Sequence, residues 1–236
     1  MSERKRERIW ELDALRGFLI LCVILSHSLY YAVNVLHRFT LPGVVTFVIH
    51  NGGVLFVLLS GLCATLGSRS FRRGLLVFAG GMALTLGSLL AVRFGWLSQE
   101  LVIRFGVLHL LGAAMMLYPL LNRLQTLPLV LFGLALLAAG YWLEAHGAVT
   151  DSRLLFPLGL RYPGFTSGDY FPLAPHLGWF CLGIALGRSL YAQKRTRLPQ
   201  IDAHTPILRF FCFCGRHSLA IFILHLPILG GVLLLL

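Results

Sequence analysis

Three side chains near the N-terminus have the types and spacing for acid–base chemistry inside a bilayer: Asp13, Arg16 and His27. On a helix, the 11 residues from Arg16 to His27 make three turns and about 20° more, so both lie on one face. At a rise of about 1.5 Å per residue, His27 sits roughly 16 Å beyond Arg16, near the middle of a ~30 Å hydrocarbon layer. Asp13 precedes Arg16 by three residues, within reach of a same-face ion pair. An ionisable group at that depth costs several kcal/mol unless it faces protein or water, which makes His27 a candidate for function. A neutral imidazole there can take a proton from a hydroxyl or amine. It can equally be a packing residue hydrogen-bonded to a neighbouring helix.

Histidine is the informative residue type along the rest of the chain, which has nine. His27, His109 and His225 fall inside apolar segments, and His50 and His176 near the ends of theirs. His37 and His146 fall in segments read as external, His204 and His217 in segments read as cytoplasmic. Ser218 lies seven residues before His225 on nearly the same face, and Pro227 is expected to disturb the helical hydrogen bonding beside it. No HExxH and no grouping of His, Asp and Glu at ligand spacing occurs, so no metal is expected. A nucleophile elbow, a P-loop and a dinucleotide fingerprint are all missing from the sequence.

The elements that must carry these residues are membrane helices. Of 236 residues, 57% are hydrophobic and 12% charged, against about 25% charged in a soluble domain. Seven spans are expected: Leu15–Val35, Val44–Leu66, Gly74–Val92, Ile103–Leu121, Leu127–Leu143, Pro172–Leu190 and Ser218–Leu236. The predicted fold is therefore all-α, a polytopic helix bundle forming one domain behind a basic tail over residues 1–14. The apolar part of the first span is too long for a signal peptide and lacks a small-residue cleavage site, so it is read as uncleaved. Orientation follows from Lys and Arg. With the N-terminus in the cytoplasm, inner segments hold fifteen of the 20 basic residues and outer ones hold Arg38, Arg93, Arg104, Arg153 and Arg161. The C-terminus is then external, in an inner cell membrane. The net charge of +11 is accounted for by acidic lipid headgroups, with no nucleic-acid partner. The five cysteines show no disulfide framework and read as reduced packing residues. Gly52, Gly53, Gly61, Gly80, Gly81 and Gly87 are expected to permit close helix approach. The stretch Pro206–Cys214 is either an interfacial helix or the start of the last span.

The order of motifs resembles the heparan-alpha-glucosaminide N-acetyltransferase catalytic-domain family. The likeness is carried by RIWELDALRG, by FVLLSG at Phe56–Gly61, and by IRFGVLHLLG at Ile103–Gly112. It continues through DYFPLAPHLGWFCLGIALG at Asp169–Gly187 to GRHSLAIFILHLPIL at Gly215–Leu229. The Arg16–His27 spacing is also similar to the signature of the wider transmembrane acyltransferase group. The resemblance implies transfer of an acyl unit, typically acetyl, from cytoplasmic acetyl-coenzyme A to a sugar amine or hydroxyl on the far side. The coenzyme would be a co-substrate, with no tightly bound cofactor. His27, Arg16 and Asp13 would be catalytic, while Arg104, His109, His176, His225, Ser218 and His37 would meet the acyl donor or the acceptor. His37 is the nearest counterpart of the histidine proposed as catalytic in lysosomal relatives. Arg16, Arg72 and Arg73 could receive coenzyme phosphates. The chain is short for the wider group, so it is a minimal catalytic bundle or it forms a homo-oligomer. Buried His and Arg also suit a proton-coupled transporter of a small anion or lipid-linked intermediate, which would move solute without consuming a thioester. An assembly partner without chemistry is the third alternative.

Overall fold

The structure is a computed structural model that describes residues 9–34, 42–147 and 149–234. Within these described residues lie eight α-helices: α1 (Trp10–Asn34), α2 (Gly43–Ala64), α3 (Ser70–Arg93), α4 (Val107–Leu121), α5 (Thr126–Ala145), α6 (Leu173–Leu190), α7 (Pro206–Arg216) and α8 (Ser218–Leu234). Among the described residues there is no strand, only the isolated bridges Phe105–Tyr170 and Val149–Arg161. The all-helical expectation holds.

Among the described residues, three or four of the seven expected spans are helices long and apolar enough to cross a bilayer. Trp10–Leu29, Ser70–Arg93 and Thr126–Ala145 are long and apolar enough to cross a bilayer alone, and Pro206–Arg216 with Ser218–Leu229 passes only as a pair bent by 79°, which is one broken span or a re-entrant turn. The 15-residue α4, at about 1.5 Å per residue, is shorter than a ~30 Å hydrocarbon layer. α1 starts at Trp10, ahead of the expected Leu15, because Glu11 and Asp13 in its first turn complement the positive end of the helix dipole. α8 runs on through Pro227. Leu75, Leu76, Leu86 and Leu90 of α3 point outward, an arrangement that suits lipid.

The chain forms two compact units, one of Met1–Phe56 with Ser189–Leu236, the other of Val57–Arg188. In the first, α1 and α7 cross with their backbones touching. A Cβ added at Gly17 would lie 1.8 Å from the Phe211 carbonyl oxygen, and one at Gly215 would lie 1.8 Å from that of Asp13. The Glu11 carboxylate ties the Tyr191–Arg197 connection to this crossing, accepting from the Arg197 N–H at 2.7 Å and the Thr196 hydroxyl at 2.9 Å. In the second unit, α3 packs on α4 and α2 on α6. Gly61 and Gly81 provide the expected close approach there, to Phe180 and His109, whereas Gly52 and Gly87 face open space.

Candidate functional site

In the first unit, α1 and α8 bring two histidines together that are 198 residues apart in sequence. His27 Nδ1 and His225 Nε2 are 2.7 Å apart, and the rings are within 14° of coplanar, so they meet edge to edge. His225 Nδ1 lies 2.6 Å from the Phe222 carbonyl oxygen. That oxygen only accepts, so His225 carries its proton on Nδ1, and its Nε2 is left as an acceptor when the ring is neutral. His27 must then donate from Nδ1. A neutral imidazole has one N–H, so His27 Nε2 bears a lone pair, and no partner stands against it among the described residues. His225 is 5% exposed, and the Phe222 ring lies edge-on to both imidazoles. The arrangement is an oriented base. When His27 takes a proton at Nε2, its Nδ1–H bond to His225 becomes charge-assisted and stronger.

Arg16 and Asp13 make the predicted ion pair, with 3.3 Å between Nη1 and Oδ1 and both side chains mostly covered. Ser218 opens α8 seven residues before His225, roughly 10 Å along the axis, and makes no bond to it. His37 lies outside the described residues.

The second unit holds the other candidates. His109 is 2% exposed and uses both ring nitrogens internally. The Gly106 N–H donates to its Nδ1 at 3.2 Å, so the proton sits on Nε2, which faces the Thr85 hydroxyl at 3.3 Å. Phe105 stacks on one side of the ring, and Gly81 on α3 leaves room for it. This histidine holds the start of α4 in place. Arg104 donates from Nε to the Thr166 carbonyl at 2.9 Å, and its backbone N–H reaches the Ser167 hydroxyl. His176 donates from Nδ1 to the Pro172 carbonyl at 2.9 Å, which leaves a lone pair on its Nε2 when the ring is neutral. Arg72 and Arg73 are exposed near the start of α3. Among the described residues no three His, Cys, Asp or Glu side chains gather as a metal ion would require.

Asp169 carries no sequence pattern that marks it as functional, although it stands in the stretch Asp169–Gly187 that bears the family resemblance. Its Oδ2 accepts from the Val107 N–H at 2.9 Å, capping α4 from the connection that precedes α6. Burial pushes this carboxyl from 3.8 up to about 6, against the Val107 hydrogen bond, which pulls the other way. A carboxyl raised on folding binds its proton more tightly when native, so stability is greatest below about pH 4 and falls as pH rises to about 6. The full elevation corresponds to at most about 3 kcal/mol. Asp169→Asn keeps an acceptor for Val107 and should flatten the thermal midpoint between pH 4 and 6. An unchanged slope in that variant would remove Asp169 as its source.

Over residues 8–227 the chain matches the family described as Heparan-alpha-glucosaminide N-acetyltransferase, catalytic. No curated protein and no solved structure matches it.

Proposed function

The chain belongs to the heparan-alpha-glucosaminide N-acetyltransferase catalytic family, and from that premise we propose a membrane acetyltransferase whose working base is His27. The observation that carries this reading is the hydrogen-bonded series Phe222 carbonyl, His225, His27, ending on an Nε2 that meets no partner among the described residues. In the direct route, an acceptor hydroxyl or amine attacks the thioester carbonyl while His27 Nε2 removes its proton. The carbon–sulfur bond breaks and the imidazolium returns the proton to the departing thiolate. In the covalent route Nε2 itself attacks the carbonyl, the thiolate leaves, and His225 Nε2 can take the Nδ1 proton, so the acyl-imidazole is neutral until the acceptor attacks. Both routes need the same tautomers.

Acetyl-coenzyme A as donor and a sugar amine or hydroxyl as acceptor are the substrates this reading assigns. It places the N-terminus in the cytoplasm, the C-terminus outside and seven passes between them, supported by fifteen of 20 basic residues in the inner segments. Arg16 then stands at the cytoplasmic end of α1, where coenzyme phosphates would compete with Asp13 for its guanidinium.

The test is thiol release from acetyl-coenzyme A by purified protein in the presence of an amino sugar or a polysaccharide. Release with acetylation of the acceptor supports the proposal. Absence of both, with solute uptake driven by a pH gradient in proteoliposomes, would assign the histidine pair to proton-coupled transport instead. His225→Ala should cost about 10–100-fold in turnover, less than loss of His27 itself and on the scale of losing the outer-shell partner of a metal-bound histidine. It should also alter the pH–rate profile, because the tautomer of His27 is no longer fixed. Activity and profile both matching wild type would show that His225 does not position the base.

A further inference from the structure

The second face of α7 is independent of this chemistry. Its inner face is fully used: Phe211 lies over Gly17, Cys212 Sγ points at the Trp10 carbonyl at 3.4 Å, and Cys212 and Cys214 are 8% and 5% exposed. Its outer face is the reverse. Ile207, Phe210 and Phe213 are 70%, 54% and 54% exposed. Pro206, Arg209, Phe210, Phe213 and Arg216 recur every three or four residues, so they form one stripe along the helix, and they line an open groove of 420 Å³. A guanidinium stands towards each end of that stripe with two aromatic rings between. Arg216 spends its Nε on the Cys212 carbonyl and keeps its terminal nitrogens free, while the Arg209 side chain makes no bond among the described residues. No acidic residue occurs within α7.

The bend gives this stripe its setting. α7 turns by 79° from α8, so when α8 crosses a bilayer near its normal, α7 lies almost in the membrane plane. An in-plane helix with exposed Phe and Arg matches the chemistry of the zone where headgroups meet acyl chains. We propose that the Arg209–Arg216 groove of α7 binds an anionic phospholipid, the guanidiniums taking the headgroup phosphate and Phe210 and Phe213 packing on the start of its acyl chains. Charge complementarity selects the anionic class. Two arginines with free terminal nitrogens suit phosphate oxygens, and the rings between them suit a ligand that carries hydrocarbon.

Full-length protein in detergent, heated with added phosphatidylglycerol, phosphatidylcholine or coenzyme A, tests the assignment. Phosphatidylglycerol should raise the thermal midpoint and phosphatidylcholine should not. The Arg209→Gln/Arg216→Gln protein should lose more than half of that rise while its midpoint without lipid stays near wild type. If the double variant does not fold, Arg209→Gln alone decides, since that side chain supports nothing in the fold. Equal shifts from both lipids, or a variant that keeps the full response, would overturn the proposal. Stabilisation by coenzyme A alone, lost in the same variant, would also overturn it and give the groove to a coenzyme phosphate.

Discussion

His27→Ala should lower acetyl-coenzyme A turnover by about 10²–10⁴, the range over which a positioned general base acts, while the protein still inserts and folds. The loss is expected in turnover because the imidazole is needed as the bond to the acyl carbon forms. A modest stability loss should go with it, small enough to leave the protein folded. His27 is half-buried, and its one hydrogen bond within the described protein is to His225, whose Nδ1 keeps the Phe222 carbonyl. Removing the ring therefore leaves one acceptor nitrogen unpaired, at about 1–3 kcal/mol. Thioester consumption within threefold of wild type would end the proposal for His27 and make His37 the next residue to substitute.

The second large effect is structural. Gly17→Ala should lower the thermal midpoint by roughly 6–12 °C, from about 3 kcal/mol of overpacking and 2–4 °C per kcal/mol for a chain of this size. The added methyl would stand 1.8 Å from the Phe211 carbonyl oxygen and 2.9 Å from the Gly215 nitrogen. Both are backbone atoms, so no side chain can swing aside, and α1 and α7 must separate. Gly52→Ala and Gly87→Ala are the controls, since a Cβ at either meets nothing within 4 Å. A midpoint for Gly17→Ala equal to those controls would mean that the crossing is looser than the close backbone approach implies.

Short-range features of the site were legible in the sequence. The Asp13–Arg16 pair follows from three-residue spacing on one helix. The partner of His27 was not legible. His225 was visible as a histidine in another apolar segment, but nothing local fixes which faces of α1 and α8 meet. That register is set by packing between helices at opposite ends of the chain. His109 shows the converse difficulty, for its position in an apolar stretch is as suggestive as that of His27. Only the Gly106 N–H and the Thr85 hydroxyl, at its two nitrogens, distinguish a histidine that holds backbone from one that offers a lone pair. Hydropathy also reads spans without their bends, so it does not separate an interfacial helix at Pro206–Cys214 from the start of the last span, and a lone Asp such as Asp169 before an apolar run has no distinguishing pattern.

Base catalysis by His27 depends on the state of one nitrogen, and ¹⁵N nuclear magnetic resonance of histidine-labelled protein in lipid reads it directly. At about pH 8.5, above the ordinary histidine range, wild type compared with His27→Ala and His225→Ala assigns the two signals. Both imidazoles should be protonated on Nδ1, with a coupling across the His27 Nδ1 to His225 Nε2 hydrogen bond and an unprotonated Nε2 on His27. A His27 signal showing the proton on Nε2 would contradict this assignment, because that ring would then have no lone pair to offer an acceptor or a thioester.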